Sequence, residues 1–465
     1  MTATHAIWST RRPRLIGFLA ATILVVAASY ALSGFDTPNR SAAPAGAAAL
    51  AGAATTPIVP PGEASIPGAG GTGPAAGSIV RIDHSIDAWS KNLAANSRDF
   101  ISATNLATLY HGRGRLSSDL SDHGRALAAA RTAIGIAPTH APARALEATI
   151  LFTLHDFEAA FAAADALVRE DPTLTSALAT RFDAELEMGR IDDARADLER
   201  LVAFGGPGVT IRDARLASVT GDAAAALEKA RAARAEALAE GPTDAAFYAY
   251  AVGEYARLAG DAPSARIAFT DGLALRPDDP AALIGRARID AFEGRSDQAI
   301  AGLRRATEIA PQPEALALLG DVLTAAGDPG AAEAYDTVRF IEKLGDIQAT
   351  TYDRQLLRFE LDHRGATATV LERARASLDA RPDGGGYDTV AWALYRLGRF
   401  DEAAAEIAAA RALGADDARL RFHEGAILTA VGSVADGERL LKAALDLGPA
   451  LDPVERAEAE GLLDP

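Results

Sequence analysis

The chain of 465 residues carries 46 lysines and arginines against 63 aspartates and glutamates, a formal net charge of −17, with 49% hydrophobic residues, 6% aromatic residues and no cysteine. Without cysteine there is no disulfide, thiolate metal site or thiol nucleophile, and abundant Ala beside few aromatic and β-branched residues argues against an all-β fold. Residues 1–78 hold four arginines against one aspartate and one glutamate, which leaves 42 basic and 61 acidic residues in the remainder, a net charge of −19; a body this acidic repels phosphate backbones, so nucleic acid is not expected as a partner and neutral or basic partners are.

The N-terminal elements come first. Residues 1–14 form a basic region ending in Arg11, Arg12 and Arg14, which the positive-inside tendency keeps cytoplasmic. Residues 15–35 follow, uncharged from Leu15 to Phe35. As a helix rising about 1.5 Å per residue this segment spans roughly 31 Å, close to the ~30 Å hydrocarbon core. It reads as a transmembrane signal anchor or as a cleaved signal peptide, the Ser29-Tyr30-Ala31 triplet being a tolerable small-x-small site. The first reading places a single-pass protein at the cell membrane with the rest of the chain extracytoplasmic; the second makes it secreted. Residues 36–78 are mostly Ala, Gly, Pro and Thr with almost no charge and no apolar periodicity, and read as a disordered linker with a reach of roughly 35 Å.

Residues 79–465 repeat. Glycines precede short Ala-rich runs at Gly189, Gly221, Gly260, Gly294, Gly327, Gly365, Gly398 and Gly432, at intervals of 32, 39, 34, 33, 38, 33 and 34, and His155 takes the same place 34 residues before Gly189. Five residues after each Gly stands a small or apolar residue, and Pro172, Pro277, Pro311, Pro382 and Pro449 fall near the end of their units. In Pro280–Pro311, Leu283, Ala287 and Asp290 sit at helical steps before Gly294, and Ala299, Leu303 and Ala306 after it. That is two amphipathic helices joined by a tight turn. Gly and Pro every ~17 residues exclude a long coiled coil.

This pattern resembles the tetratricopeptide repeat (TPR) family over about Ser97–Pro449. The family's small residues at positions 8, 20 and 27, its large apolar residue at 24 and its Pro at 32 are matched by Gly253, Ala265, Phe269, Gly272 and Pro277, then by Ala287, Ala299, Leu303, Ala306 and Pro311, and again by Ala391, Ala403, Ile407 and Ala410. Gly437 departs from the pattern at position 20, an insertion is expected at His111–Asp122, and the long intervals imply longer helices or loops near Glu236–Thr243 and Lys343–Thr351. The resemblance implies an all-α solenoid of about ten stacked helix hairpins in a right-handed superhelix. Pro453–Leu463 then serves as a polar cap, with Glu455, Arg456, Glu458 and Glu460 facing solvent.

No chemistry-bearing motif stands out. The eight histidines include no His-Glu-x-x-His arrangement, and neither a P-loop nor a Gly-x-Ser-x-Gly elbow occurs. Gly384-Gly385-Gly386 reads as a turn between units, and Asp192-Asp193 and Asp401-Glu402 as helix-start acids that complement the macrodipole. No enzyme activity, catalytic residue, cofactor or metal site is expected.

The resemblance implies instead a binding scaffold whose first helices line a concave groove. Counting along those helices gives Phe247, Tyr250, Glu254, Arg257, Arg288, Phe292, Tyr352, Gln355, Phe359, Trp392 and Tyr395 as groove candidates, aromatic and arginine positions being the usual interface anchors. The expected function is an exported or membrane-anchored scaffold that binds a neutral or basic protein or peptide in the groove. The alternatives are a self-assembling envelope component or an accessory subunit of an enzyme complex.

Overall fold

The computed structural model describes residues 74–464 apart from 118, 241–244 and 344–346, and every regular element among the described residues is helical. The apolar segment at residues 15–35 and the linker up to residue 73 lie outside them; no helix among the described residues is long and apolar enough to cross a membrane. Helix α1 (Pro74–Ala95) takes in the last five residues assigned to the linker. Ten hairpins follow: α2 (Phe100–Ser117) with α3 (Leu120–Ile136), α4 (Ala141–Thr153) with α5 (Phe157–Glu170), α6 (Thr175–Glu187) with α7 (Ile191–Val202), α8 (Pro207–Val219) with α9 (Ala223–Glu240), and α10 (Ala245–Leu258) with α11 (Ala262–Leu275). The other five are α12 (Pro280–Phe292) with α13 (Ser296–Ile309), α14 (Pro313–Ala325) with α15 (Ala331–Lys343), α16 (Ile347–His363) with α17 (Ala368–Ala380), α18 (Gly384–Arg396) with α19 (Phe400–Ala412), and α20 (Ala418–Ala430) with α21 (Val434–Leu445). A short 3-10 turn, Gly448–Ala450, leads into α22 (Pro453–Leu463). Each helix packs on the next, and the first helices of most consecutive pairs also touch.

The unit α12–α13 shows why the sequence folds this way. Asp279 caps α12 by accepting the Ala282 amide at 3.1 Å, with Pro280 in the first turn where no amide is needed. The chain reverses at Gly294, whose φ of 75° is left-handed, and the Arg295 amide reaches back to the Asp290 carbonyl at 2.8 Å. Ala299, Leu303 and Ala306 then form a fully buried stripe on α13. The same reach-back bond recurs at Arg190, Asp261, Arg399 and Ser433. His155 stands in for glycine at φ 62°. The expected insertion at His111–Asp122 is instead one more stretch of helix, since α2 runs on to Ser117, and the 39-residue interval is absorbed by an 18-residue α9.

Small residues set the spacing between hairpins. Phe269, with no exposed surface, is wedged between two glycines: a Cβ at Gly253 or Gly285 would lie 2.6 or 2.4 Å from its ring. At the departure noted in the repeat, a Cβ on Gly437 would sit 2.7 Å from the Gly425 carbonyl oxygen, so there the two helix backbones themselves meet.

The stack does not extend as an open coil. It curls until later hairpins meet earlier ones at a nearly constant offset. The Gly189 turn lies against Pro382 and Asp383, the Gly221 turn against Gly414 and Asp416, and the Gly260 turn against Leu447. At Gly189 a Cβ would come within 2.2 Å of the Pro382 carbonyl oxygen, whereas at Gly294 it would meet nothing. Gly294→Ala should therefore cost about 1–2 kcal/mol, the left-handed penalty alone. Gly189→Ala should cost a further ~1–3 kcal/mol of overpacking. The difference between their urea midpoints at equal slope measures the contact between the two turns of the stack; equal midpoints would show that this contact does not form.

Candidate functional site

Curling brings the first helices onto the chain's own C-terminal third. Arg257 on α10 donates from Nη1 to the carbonyls of Pro449 and Ala450 at 3.0 and 3.2 Å, and pairs through Nη2 with Glu254 at 2.6 Å. Arg288 on α12 lies between Glu314 at 2.5 Å and Asp452 at 2.9 Å. Arg419 on α20 pairs with Glu455, and Arg396 with Glu458 at 2.5 Å. Burial alone would raise the Asp452 carboxyl, but Arg288, Arg419 and Arg257 together hold it well below the usual carboxylate range. The C-terminal helix is therefore gripped by charge. Its expected solvent-facing positions are corrected accordingly: Glu455 is buried and Glu458 ion-paired, while Glu460 remains largely exposed.

The groove candidates fall into four groups. Arg257, Arg288, Phe359 and Trp392 are buried within the protein, so the expectation that they present an open surface is corrected. Trp392 stacks on Tyr395 at 4.7 Å and on His423 at 3.9 Å, and donates Nε1–H to Asp362 at 3.2 Å; Phe359 stacks on His363 at 4.7 Å. Gln355 is half-buried and accepts the Glu314 amide at 3.3 Å, and Phe292 is partly exposed beneath the Arg456 guanidinium. Tyr352 falls on α16 outside the residues whose side chains are described. Phe247, Tyr250 and Glu254 line a larger recess, and since Phe247 and Tyr250 are themselves buried, the expectation of an open surface is corrected for them too.

That recess, of about 350 Å3, lies between α6, α8 and α10 on one side and the turns 381–385 and 413–417 on the other. A second hollow of about 170 Å3, lined by Arg354, Asp388, Trp392, Arg419 and His423, shares Gly384, Gly385, Ala415 and Asp417 with it. The expected turn at Gly384-Gly385-Gly386 is the first turn of α18, capped by Asp383, which accepts the Gly386 amide at 2.7 Å. A Cβ on Gly386 would meet Arg354 at 2.8 Å, so the glycines admit that guanidinium.

At one end of the recess charges concentrate. Glu187 at the end of α6 binds Arg215 of α8 with one carboxylate oxygen and Arg381 with the other. Arg354 donates to Asp383 at 2.8 Å and to the Arg381 carbonyl at 2.7 Å. Arg381 also lies over the Phe157 ring, 4.8 Å from its centre. Against burial, Arg381 and Arg215 bring Glu187 down to about 2, while burial, with Arg381 adding, takes the nearby His155 down to about 3, keeping it neutral. Arithmetic on the repeat missed this cluster, because each residue sits at an ordinary helix position and only the curl brings α6 and α8 to Arg381. A weak signal was present: Glu185 and Glu187 are charges near the end of a first helix whose neighbours are apolar. Among the described residues no group of three or more His, Asp or Glu is placed to hold a metal ion.

Residues 256–322, from the end of α10 into α14, match the tetratricopeptide repeat family model. The match covers 67 residues of the stack, and the same hairpin recurs before and after it, as tetratricopeptide repeats do. No curated protein matches it in sequence. Among solved structures it is similar to a tetratricopeptide repeat protein from Parabacteroides merdae at 18% identity, covering 56% of this chain and 97% of that one, with a TM-score of 0.31. It is also similar to PilW, a type IV pilus biogenesis factor, at 19% identity over 44% and 96% with a TM-score of 0.37. Yeast Tom70 matches at 12% identity over 82% and 92% with a TM-score of 0.33.

Two measurements check the electrostatics. Removing one member of a buried, multiply paired charge set strands the others. Arg288→Ala should thus lower stability by about 3–5 kcal/mol in urea unfolding; a loss below ~1 kcal/mol would place Asp452 in solvent. Burial lifts the Glu185 carboxyl to about 8, with Asp197 adding to the rise. Because its folded pKa lies above the unfolded value, the native state holds the proton more tightly; that contribution is full below pH ~4 and is lost as pH rises through ~8. Glu185→Gln should therefore be more stable than the parent at pH 8.5 by on the order of 1–2 kcal/mol and no more stable at pH 4.

Proposed function

We propose that the chain is a non-catalytic scaffold for protein–protein interaction, a right-handed stack held at a membrane by residues 15–35, with the repeats on the extracytoplasmic side and a neutral or basic protein or peptide as partner. The tethering rests on the uncharged segment, the arginines before it and the Pro- and Gly-rich linker after it. The charge preference rests on the net −19 of residues 79–465.

The observation that carries the reading is the closed stack. Arg257, Arg288, Arg419 and Trp392 are engaged within the chain, so the body is pre-organised and offers its exposed edges and back instead of a long open groove. Pre-organisation lowers the entropy cost of association.

Carbodiimide coupling in native membranes joins surface carboxylates directly to partner lysines. A specific adduct is expected on exposed acids, with capture falling several-fold between ~0.05 and ~0.5 M salt as screening sets in. Capture insensitive to salt, or adducts confined to Tyr250 and Trp392 neighbours, would overturn this choice of surface. Concentration-dependent light scattering of the purified chain with no adduct to another protein would favour self-assembly, and N-terminal sequencing of the recovered chain decides between anchor and cleaved signal.

A further inference from the structure

Independently of any protein partner, the charged end of the larger recess is built like a ligand site. Arg215 is buried with 7% of its surface exposed and lines the recess, and its Nη1 meets no hydrogen-bond acceptor among the described residues. The Nε atoms of Arg354 and Arg381 are likewise buried without an acceptor. Three guanidiniums gather around two carboxylates, Glu187 and Asp383, leaving one positive charge in excess. Buried donors without acceptors are costly to leave unmade and call for an occupant.

The remaining wall defines the rest of that occupant. Leu186, Ile191, Val219, Phe247 and Leu258 make much of it apolar. Its acids are already satisfied: Glu254 by Arg257, Asp416 by Arg411 and Arg421, and Asp417 by the Leu420 amide. A second negative charge on the ligand would face these three acids, so a polyphosphate is disfavoured. A volume of about 350 Å3 lies at the small end of the ~300–1,000 Å3 range of ligand pockets.

We propose that this recess binds a small organic acid, its single carboxylate held by the free N–H groups of Arg215 and Arg381 and its apolar body lying against Phe247, Tyr250 and Leu258. The ligand would bridge the two turns of the stack, since Arg215 belongs to the earlier turn and Arg381 to the later.

Calorimetric titration of the purified full chain with 3-phenylpropanoate, with 3-phenylpropanamide and with inorganic phosphate tests each part. The acid should bind, the isosteric amide about 10–100-fold more weakly, and phosphate more weakly than the acid. Arg215→Gln should weaken the acid by a similar factor, while Arg305→Gln, at an exposed pair with Asp278, should leave it unchanged. Should Arg215→Gln fail to fold, Val219→Trp fills the recess at a partly exposed position and leaves the arginines in place; it should abolish binding with circular dichroism intact. No binding by any probe would mean that water alone satisfies these donors, and would overturn the proposal. So would equal affinity for acid and amide, phosphate binding as tightly as the acid, or undiminished binding to Val219→Trp.

Discussion

A guanidinium taken out of water must meet an acceptor, and in this protein the chain itself supplies most of them. The inner faces of α10, α12 and α20 carry Arg257, Arg288 and Arg419, which an open solenoid would leave for solvent or a guest. Here the carbonyls of Pro449 and Ala450 and the carboxylates of Asp452 and Glu455 complete them. Each such pair carries a desolvation penalty close to its Coulombic gain, so it adds little net stability. What it adds is register: misplacing the C-terminal helix by one turn would strand several buried charges at once. The closed shape is thus specified by electrostatics more than by hydrophobic area.

The hairpins themselves were legible in the sequence because their constraints are local. A left-handed turn requires Gly294, a close helix crossing requires Ala299 or Gly253, and both leave marks at fixed spacing. Curvature is not local. It accumulates from small rotations between neighbouring hairpins, and no single residue announces that Gly189 will arrive beside Pro382. For the same reason the groove candidates fall on first helices, yet Trp392 and Arg288 lie inside the fold. Faces are periodic, but whether a face stays open depends on where the far end of the chain returns. The Glu187–Arg215–Arg381 cluster lay beyond reach for that reason too.

The two turns do not meet uniformly, and the difference concentrates at the glycines. Where Gly260 approaches Leu447 and Gly221 approaches Gly414 and Asp416, turn packs directly on turn. Between α6, α8 and α10 and the later turns, the arginines cannot pack so closely. Arg381 is held over Phe157 and against Glu187, and Arg354 needs the space that Gly386 leaves. A recess persists there because charged, planar groups hold the walls apart while the neighbouring glycine contacts hold them together. The same contacts that make the stack rigid therefore also fix the dimensions of this recess, and any change that loosened the closure at Gly189 would enlarge it and separate Arg215 from Arg381.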